Sequence, residues 1–322
     1  MTLDRSGRPE DRLDPQMKEF LRLTAEAAKG LGDTFTLPLR EAREAIETAQ
    51  RPFGATGPKM ALTEDRWMQI DGRRILVRYH RPENAVEGGP VIVFLHGGGW
   101  TWNSIDTHDR VAREYAARTG FVTVAPDYAS APEYPFPIPV QECVGVVEWL
   151  AAHGADWGVD PNRIGIGGDS AGANLSVATT MMCLRGGLPV PKAVLANYGI
   201  YDTGVDTDSF RWLGESTLSP QTWKAVWFWK KYLGQPTTTD WRAAPLNGDF
   251  TGFPPMRVQV PELDVTCDQG FLLAEAARAA GSEADCQVYM GMTHGFLRAV
   301  GHVDKAAEAL QDGADFFVSK LS

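Results

Sequence analysis

Residues 163–175 decide the fold: Arg163-Ile164-Gly165-Ile166-Gly167-Gly168-Asp169-Ser170-Ala171-Gly172-Ala173-Asn174-Leu175. The first five read as a strand, and Ala173-Asn174-Leu175 opens a helical run. Between them stands G-x-S-x-G, the pattern of a sharp strand-to-helix turn that lifts a serine hydroxyl above a sheet. Small residues on both sides of Ser170 remove the clashes such a turn would cause. The following helix aims its N-terminal amides and positive dipole end at the same point. G-x-S-x-G recurs by chance in glycine-rich turns, so the strand before it and the helix after it give it weight. Ser170 is the candidate nucleophile, and the Ala171 amide a candidate donor to a developing oxyanion.

Outward from this turn the chain alternates strand and helix. Apolar runs at 91–95 and 121–125 have the continuous hydrophobicity of strands buried on both faces, and strands at 193–197, 256–260 and 284–289 continue the series. Helical stretches at 140–152, 270–280 and 304–318 are interspersed with them. Residues 67–70 and 75–79 flank Asp71-Gly72, a dipeptide suited to a tight hairpin. The fold class expected is α/β, with a doubly wound, mostly parallel sheet.

Two segments stand outside the alternation. Residues 1–60 carry helical, amphipathic patterns around 17–28 and 39–48, which the Pro- and Gly-rich stretch 52–58 is expected to end. Residues 206–246 interrupt the strand series with Trp212, Trp223, Trp227, Phe228, Trp229, Tyr232 and Trp241 on mainly helical spacing. The organisation expected is a catalytic domain over 61–322 with a cap inserted at about 206–246, the N-terminal helices contributing to that cap. An aromatic helix pair packed on the core is the plainer alternative.

Directly after the strand at 91–95 comes His96-Gly97-Gly98-Gly99-Trp100. Consecutive glycines cost backbone entropy, and a loop whose amides must approach an oxyanion closely has reason to carry them. Gly98 and Gly99 join Ala171 as candidate donors. No G-K-[ST] and no G-x-G-x-x-G after a strand supports a phosphate-binding alternative. A serine nucleophile needs a base, and of six histidines His294 lies in the loop after the last expected strand, preserving the order serine, acid, histidine. The acid is a choice between Asp264 and Asp268, both after the strand at 256–260. Asp268 also suits a helix N-cap. Trp100 and Trp102 are candidates for shaping the substrate pocket.

These motifs resemble those of the bacterial hormone-sensitive lipase family of esterases, marked by H-G-G-G-[FW] and G-D-S-A-G. The glycine loop precedes Ser170 by about seventy residues, as in that family. Asp127-Tyr128-Ala129-Ser130-Ala131-Pro132-Glu133 is similar to the family's D-Y-R-L-A-P-E, with Ala129 and Ser130 in place of Arg and Leu. His294-Gly295-Phe296 matches its H-G-F. The family pattern D-x-L-x-D-x-G places the catalytic acid first, which implies Asp264. The resemblance spans about residues 65–320 and implies an α/β-hydrolase fold, short- to medium-chain acyl esters as small-molecule substrates, and no cofactor.

Bulk properties narrow the field. A net charge of −10 argues against a nucleic-acid partner. The 43% hydrophobic and 22% charged residues are the balance of a globular protein. No segment approaches the ~20 apolar residues of a membrane span, and the polar start MTLDRSGRPEDRLDPQ has no apolar core of a secretory signal. A cytoplasmic protein is expected, its four scattered cysteines reduced and without metal-ligand spacing. A homo-oligomer is compatible with the sequence. Two rivals remain: a non-catalytic receptor on the same fold, which the retained His294 argues against, and an amidase, peptidase or acyltransferase using the same three residues.

Overall fold

The computed structural model describes residues 3–322. Helices α1 (Pro15–Ala27) and α2 (Leu39–Gly54) precede the hairpin of β1 (Leu62–Ile70) and β2 (Arg73–Arg81). Alternation then runs through β3 (Gly89–Leu95), α3 (Asp109–Thr119), β4 (Val122–Pro126), α4 (Ile138–His153), β5 (Val159–Asp169), α5 (Ala171–Gly186) and β6 (Ala193–Asn197). The short α6 (Asp208–Leu213) and longer α7 (Thr222–Leu233) follow, and then β7 (Met256–Leu263), α8 (Cys267–Ala279), β8 (Ala284–Thr293) and α9 (Asp304–Leu321). This is the α/β-hydrolase architecture expected of the sequence.

Local chemistry explains the element ends. The hairpin turns at Asp71 and Gly72, with φ of 47° and 77°, the doubly left-handed turn that Asp-Gly favours. The Asp14 carboxylate caps α1 by accepting from the amides of Gln16 and Met17. α2 runs through Pro52 and ends at Gly54, inside the stretch 52–58 that the sequence marked as its end. A proline removes only its own N–H, and in an exposed last turn that loss is tolerated.

The eight strands form one sheet in the order β1-β2-β4-β3-β5-β6-β7-β8. β2 pairs antiparallel with β1 and β4, and the pairs from β4 through β8 are parallel. Side chains of β3 alternate between two cores. Val91, Val93 and Leu95 join the face covered by α4, α5 and α8, whereas Ile92 and Phe94 join the face covered by α1, α3 and α9. Gly165 and Gly167 in β5 leave room on the second face for Phe317 and Leu321 of α9, which an added Cβ would crowd. After β3 the chain moves to β4 on one side, and β5 lies on the other. The connections therefore part above β3 and β5, and an open crevice forms at their carboxyl ends, where ligands bind in such sheets.

Two buried histidines tie this framework to pH. His80 in β2 contacts Thr63 at 3.0 Å, and His96 after β3 stacks on Tyr128 at 4.3 Å. Burial pushes both imidazoles down to about 4. An unfolded histidine titrates near ~6.5, so between that value and about 4 the unfolded chain binds protons that the folded chain refuses. Stability therefore falls as pH is lowered through that window. Urea midpoints measured at pH 7 and pH 4.5 should differ, the lower pH being less stable, and His80→Gln should flatten the dependence.

Candidate active site

Four strand ends meet at the crevice. Ser170 leaves β5 with φ 54° and ψ −119°, a backbone state rare outside glycine. It is tolerated because its neighbours have no room for side chains. A Cβ on Gly172 would lie 1.9 Å from the Leu95 carbonyl oxygen, and one on Gly168 would lie 2.4 Å from it. The Ser170 amide donates to the Asn197 carbonyl (2.8 Å). The buried Asn174 amide group donates to the Ile200 and Ala243 carbonyls at 2.8 Å each, which fixes the first turn of α5.

His294 follows β8 directly, because that strand extends beyond the expected 289 to Thr293. Its Nε2 lies 2.8 Å from Ser170 Oγ and its Nδ1 2.6 Å from Asp264 Oδ2. Asp264 follows β7 and is fully buried. Its other oxygen accepts from the Thr266 amide (3.1 Å) and the Ser219 hydroxyl (3.3 Å). With Nδ1–H donated to the carboxylate, Nε2 is left to accept the serine proton. The alternative acid Asp268 is engaged elsewhere: it pairs with Arg5 and accepts from the Ser209 amide at the start of α6 (2.8 Å). Thr266, not Asp268, occupies the N-cap position of α8.

The glycine loop faces this row. Gly98 and Gly99 adopt φ of 132° and 58°, and among the described residues nothing accepts their amides or that of Ala171. A Cβ on Gly98 would meet the Trp102 carbonyl at 2.0 Å, and one on Gly99 the Phe228 ring at 2.1 Å. The Gly97 amide donates to Asp169 (2.8 Å), so the residue beside the serine also holds the loop. Burial alone would push this carboxyl up, but His108, Arg298 and the Gly97 amide hold it down at about 2. Asn103 donates to the Gly97 carbonyl (3.1 Å), and Gln50 of α2 donates to Asn103 (3.0 Å).

A cleft of about 380 Å³ opens over Ser170, His294, Gly98 and Gly99, with Phe35, Trp102, Leu218 and Phe228 in its walls. Trp102 lies where the sequence suggested a pocket residue. Trp100 does not. With a relative exposure of 1%, it stacks on Tyr232 at 4.4 Å behind the loop. Its φ of 57° turns its side chain away from the cleft into the core. Spacing alone placed two tryptophans near the loop, and only the backbone angle separates them.

Sequence reasoning missed Ser219, Gln50 and Arg298, whose partners are distant in the chain, and Asn103, which braces its own loop at Gly97. Cys267, close to Asp264 in sequence, is buried, and burial pushes its thiol well above its ordinary value. All four cysteines are free. Among the described residues no cluster of three His, Cys, Asp or Glu is arranged to hold a metal, and no helix is long and apolar enough to cross a membrane.

Comparison with known proteins agrees with this architecture. Residues 92–298 match the family described as alpha/beta hydrolase fold. The carboxylesterase NlhH of Mycobacterium tuberculosis is 32% identical over 259 residues, covering 78% of this chain and 80% of that protein. An ethyl acetate hydrolase of Pseudomonas putida is 27% identical over 308 residues, covering 92% and 96%. The carboxylesterase EstE1 from a metagenomic library superposes with a TM-score of 0.86 at 34% identity, covering 89% of this chain and 99% of that one. The chain belongs to the α/β-hydrolase fold family, in the hormone-sensitive-lipase-like group that its motifs resemble.

Gly98→Ala tests the loop. Its new Cβ collides with backbone, so the variant should melt below wild type, by roughly 1–3 kcal/mol of stability. Heat denaturation followed by circular dichroism reads the change.

Proposed function

We propose that this α/β-hydrolase is a serine carboxylester hydrolase, with Ser170 as nucleophile, His294 as general base and acid, and Asp264 as the orienting carboxylate. The observation that carries this reading is the row of contacts from Ser170 Oγ to His294 Nε2 (2.8 Å) and from His294 Nδ1 to Asp264 (2.6 Å), opening onto a cleft beside unengaged backbone amides. Relatives and structural neighbours named as carboxylesterases point to the same chemistry.

His294 takes the Ser170 proton as Oγ attacks the ester carbonyl. The carbonyl oxygen, now charged, receives hydrogen bonds from the amides of Gly98, Gly99 and Ala171, and such preorganised donors are worth ~10²–10³ in rate each. The C–O bond to the alcohol breaks, and His294 returns the proton to the departing oxygen. Water, deprotonated by His294, then attacks the acyl-enzyme and releases the carboxylic acid. Buried Asp264 holds one imidazole tautomer and stabilises the imidazolium. No step calls on a cofactor.

The cap assignment belongs to the same proposal. Leu21, Phe35, Ile46 and Gln50 from the N-terminal segment, and residues 217–220, Lys224 and Phe228 from the α6–α7 segment, roof the cleft. Phe35 joins the two halves with its ring centroid 4.7 Å from Trp102, 4.8 Å from Trp223 and 5.2 Å from Trp227. An aromatic roof of this kind suits short- to medium-chain acyl esters in solution.

The test is turnover of a p-nitrophenyl acyl ester series, with variants checked for folding by circular dichroism. Ser170→Ala should lose about 10⁶ in kcat, and Asp264→Asn about 10⁴ through the wrong imidazole tautomer. An Asp268→Asn variant that fell as far as Asp264→Asn would overturn the assignment of the acid. Amide substrates matched to the esters separate an esterase from an amidase, and faster amide turnover would favour the amidase.

A further inference from the structure

A second chamber adjoins the cleft. It encloses about 250 Å³ between α1 and α2, with Met17, Phe20, Ile46 and Phe53 among its apolar walls. The two spaces share Leu21, Ile46 and Gln50 from the helices and His294, Gly295 and Arg298 from the loop after β8 as lining residues. The chamber therefore lies on the His294 side of the reacting serine.

Arg298 in that shared wall touches no carboxylate directly, although its charge acts on Asp169 from a distance. Its Nε is buried without an acceptor. Among the described residues, its guanidinium makes no hydrogen bond or ion pair. Arg43 by contrast is bidentate to Glu133 at 2.8 Å, and Arg110, whose Nε also lacks an acceptor, donates through Nη1 to Thr56 at 2.7 Å. The acids near the site are already engaged, Asp169 by the Gly97 amide and His108, and Asp264 by His294, Ser219 and Thr266. Lys224, a second cation in the cleft wall, rests over the rings of Phe35 and Trp223 at 5.2 and 5.5 Å without a carboxylate partner. Burying a guanidinium Nε without an acceptor is costly. In a chain of net charge −10, two cations gathered at the reaction cleft without a directly contacting carboxylate leave room for an anion brought by the ligand.

We infer that Arg298 is a specificity-determining residue that binds an ionised carboxylate on the alcohol part of the substrate, so that the enzyme prefers acylated hydroxy acids. The inference rests on the esterase reading above. His294 hands its proton to the departing oxygen, so the alcohol part lies on the His294 side, where Arg298 stands. The acyl C–O bond breaks, Ser170 carries the acyl group until water releases it, and the hydroxy acid departs with its carboxylate ionised throughout. Arginine suits this task because its planar fork matches a carboxylate in two parallel hydrogen bonds.

The experiment compares kcat/KM for O-acetyl 2-, 3- and 4-hydroxy acids with that for their uncharged, isosteric amides, using wild type, Arg298→Gln and Arg298→Lys. Wild type should favour at least one acid over its amide by about tenfold or more, chiefly through KM. That ratio should fall toward one in Arg298→Gln, recover in part in Arg298→Lys, and shrink at high salt. Ratios near one in wild type for all three lengths overturn the inference. So does a ratio that persists in Arg298→Gln while both substrates slow equally, which would leave Arg298 only as a counter-charge to Asp169. If Arg298→Gln does not fold, the wild-type ratio and its salt dependence decide. Absence of any Ser170-dependent hydrolysis, of these esters or of p-nitrophenyl esters, sinks the underlying esterase reading instead.

Discussion

The close approach of the Gly168–Gly172 turn to the end of β3 is the constraint on which the rest of the site depends. With a Cβ on Gly172 only 1.9 Å from the Leu95 carbonyl oxygen, no side chain larger than hydrogen permits that contact. The same approach forces Ser170 into its left-handed backbone state and stands its hydroxyl above the sheet. It also sets the glycine loop after β3 beside the first turn of α5. The strain is sustained because both flanks are pinned, by Ser170 to β6 on one side and by Asp169 to Gly97 on the other.

Charge in the site is arranged around burial. Asp169 and Asp264 are both buried acids, and each is satisfied by several donors, which is the condition under which a buried carboxylate is tolerable. They serve different ends. Asp169 fixes a loop, and Asp264 is placed to fix an imidazole. The segments before β1 and between β6 and β7 contribute directly: Ser219, between α6 and α7, donates to Asp264, and Gln50 of α2 reaches the glycine loop through Asn103. Segments that line the cleft thus also hold its floor, and a change in the proposed cap should be felt at the reacting groups.

What was legible in the sequence follows from the range of the forces involved. The β5–α5 turn and the glycine loop were readable because close packing demands glycine at fixed local positions. The sheet was readable because strands buried on both faces leave continuous apolar runs. Asp264 was told from Asp268 mainly through the family pattern, since both follow the same strand within five residues, and the structure separates them by their partners and by placing Asp268 in the first turn of α8. Trp100 and Trp102 were indistinguishable by spacing, because the angle that turns one into the core is set by packing against α7. Ser219 and Gln50 left no signal because their partners lie 45 and 53 residues away, in other segments, whereas Asn103 bonds Gly97 of its own loop by a turn that its sequence does not mark. Arg298 is marked by what it lacks, and a missing carboxylate contact leaves no trace in a sequence.

The central claim is that the strained turn presents one serine as a nucleophile. A fluorophosphonate probe tests it directly, because an activated serine oxygen displaces fluoride and keeps the phosphonyl group. Intact-mass measurement followed by peptide mapping should find one phosphonyl group per chain, on Ser170. An unlabelled chain, or a label on Ser219 with Ser170 untouched, would contradict the account.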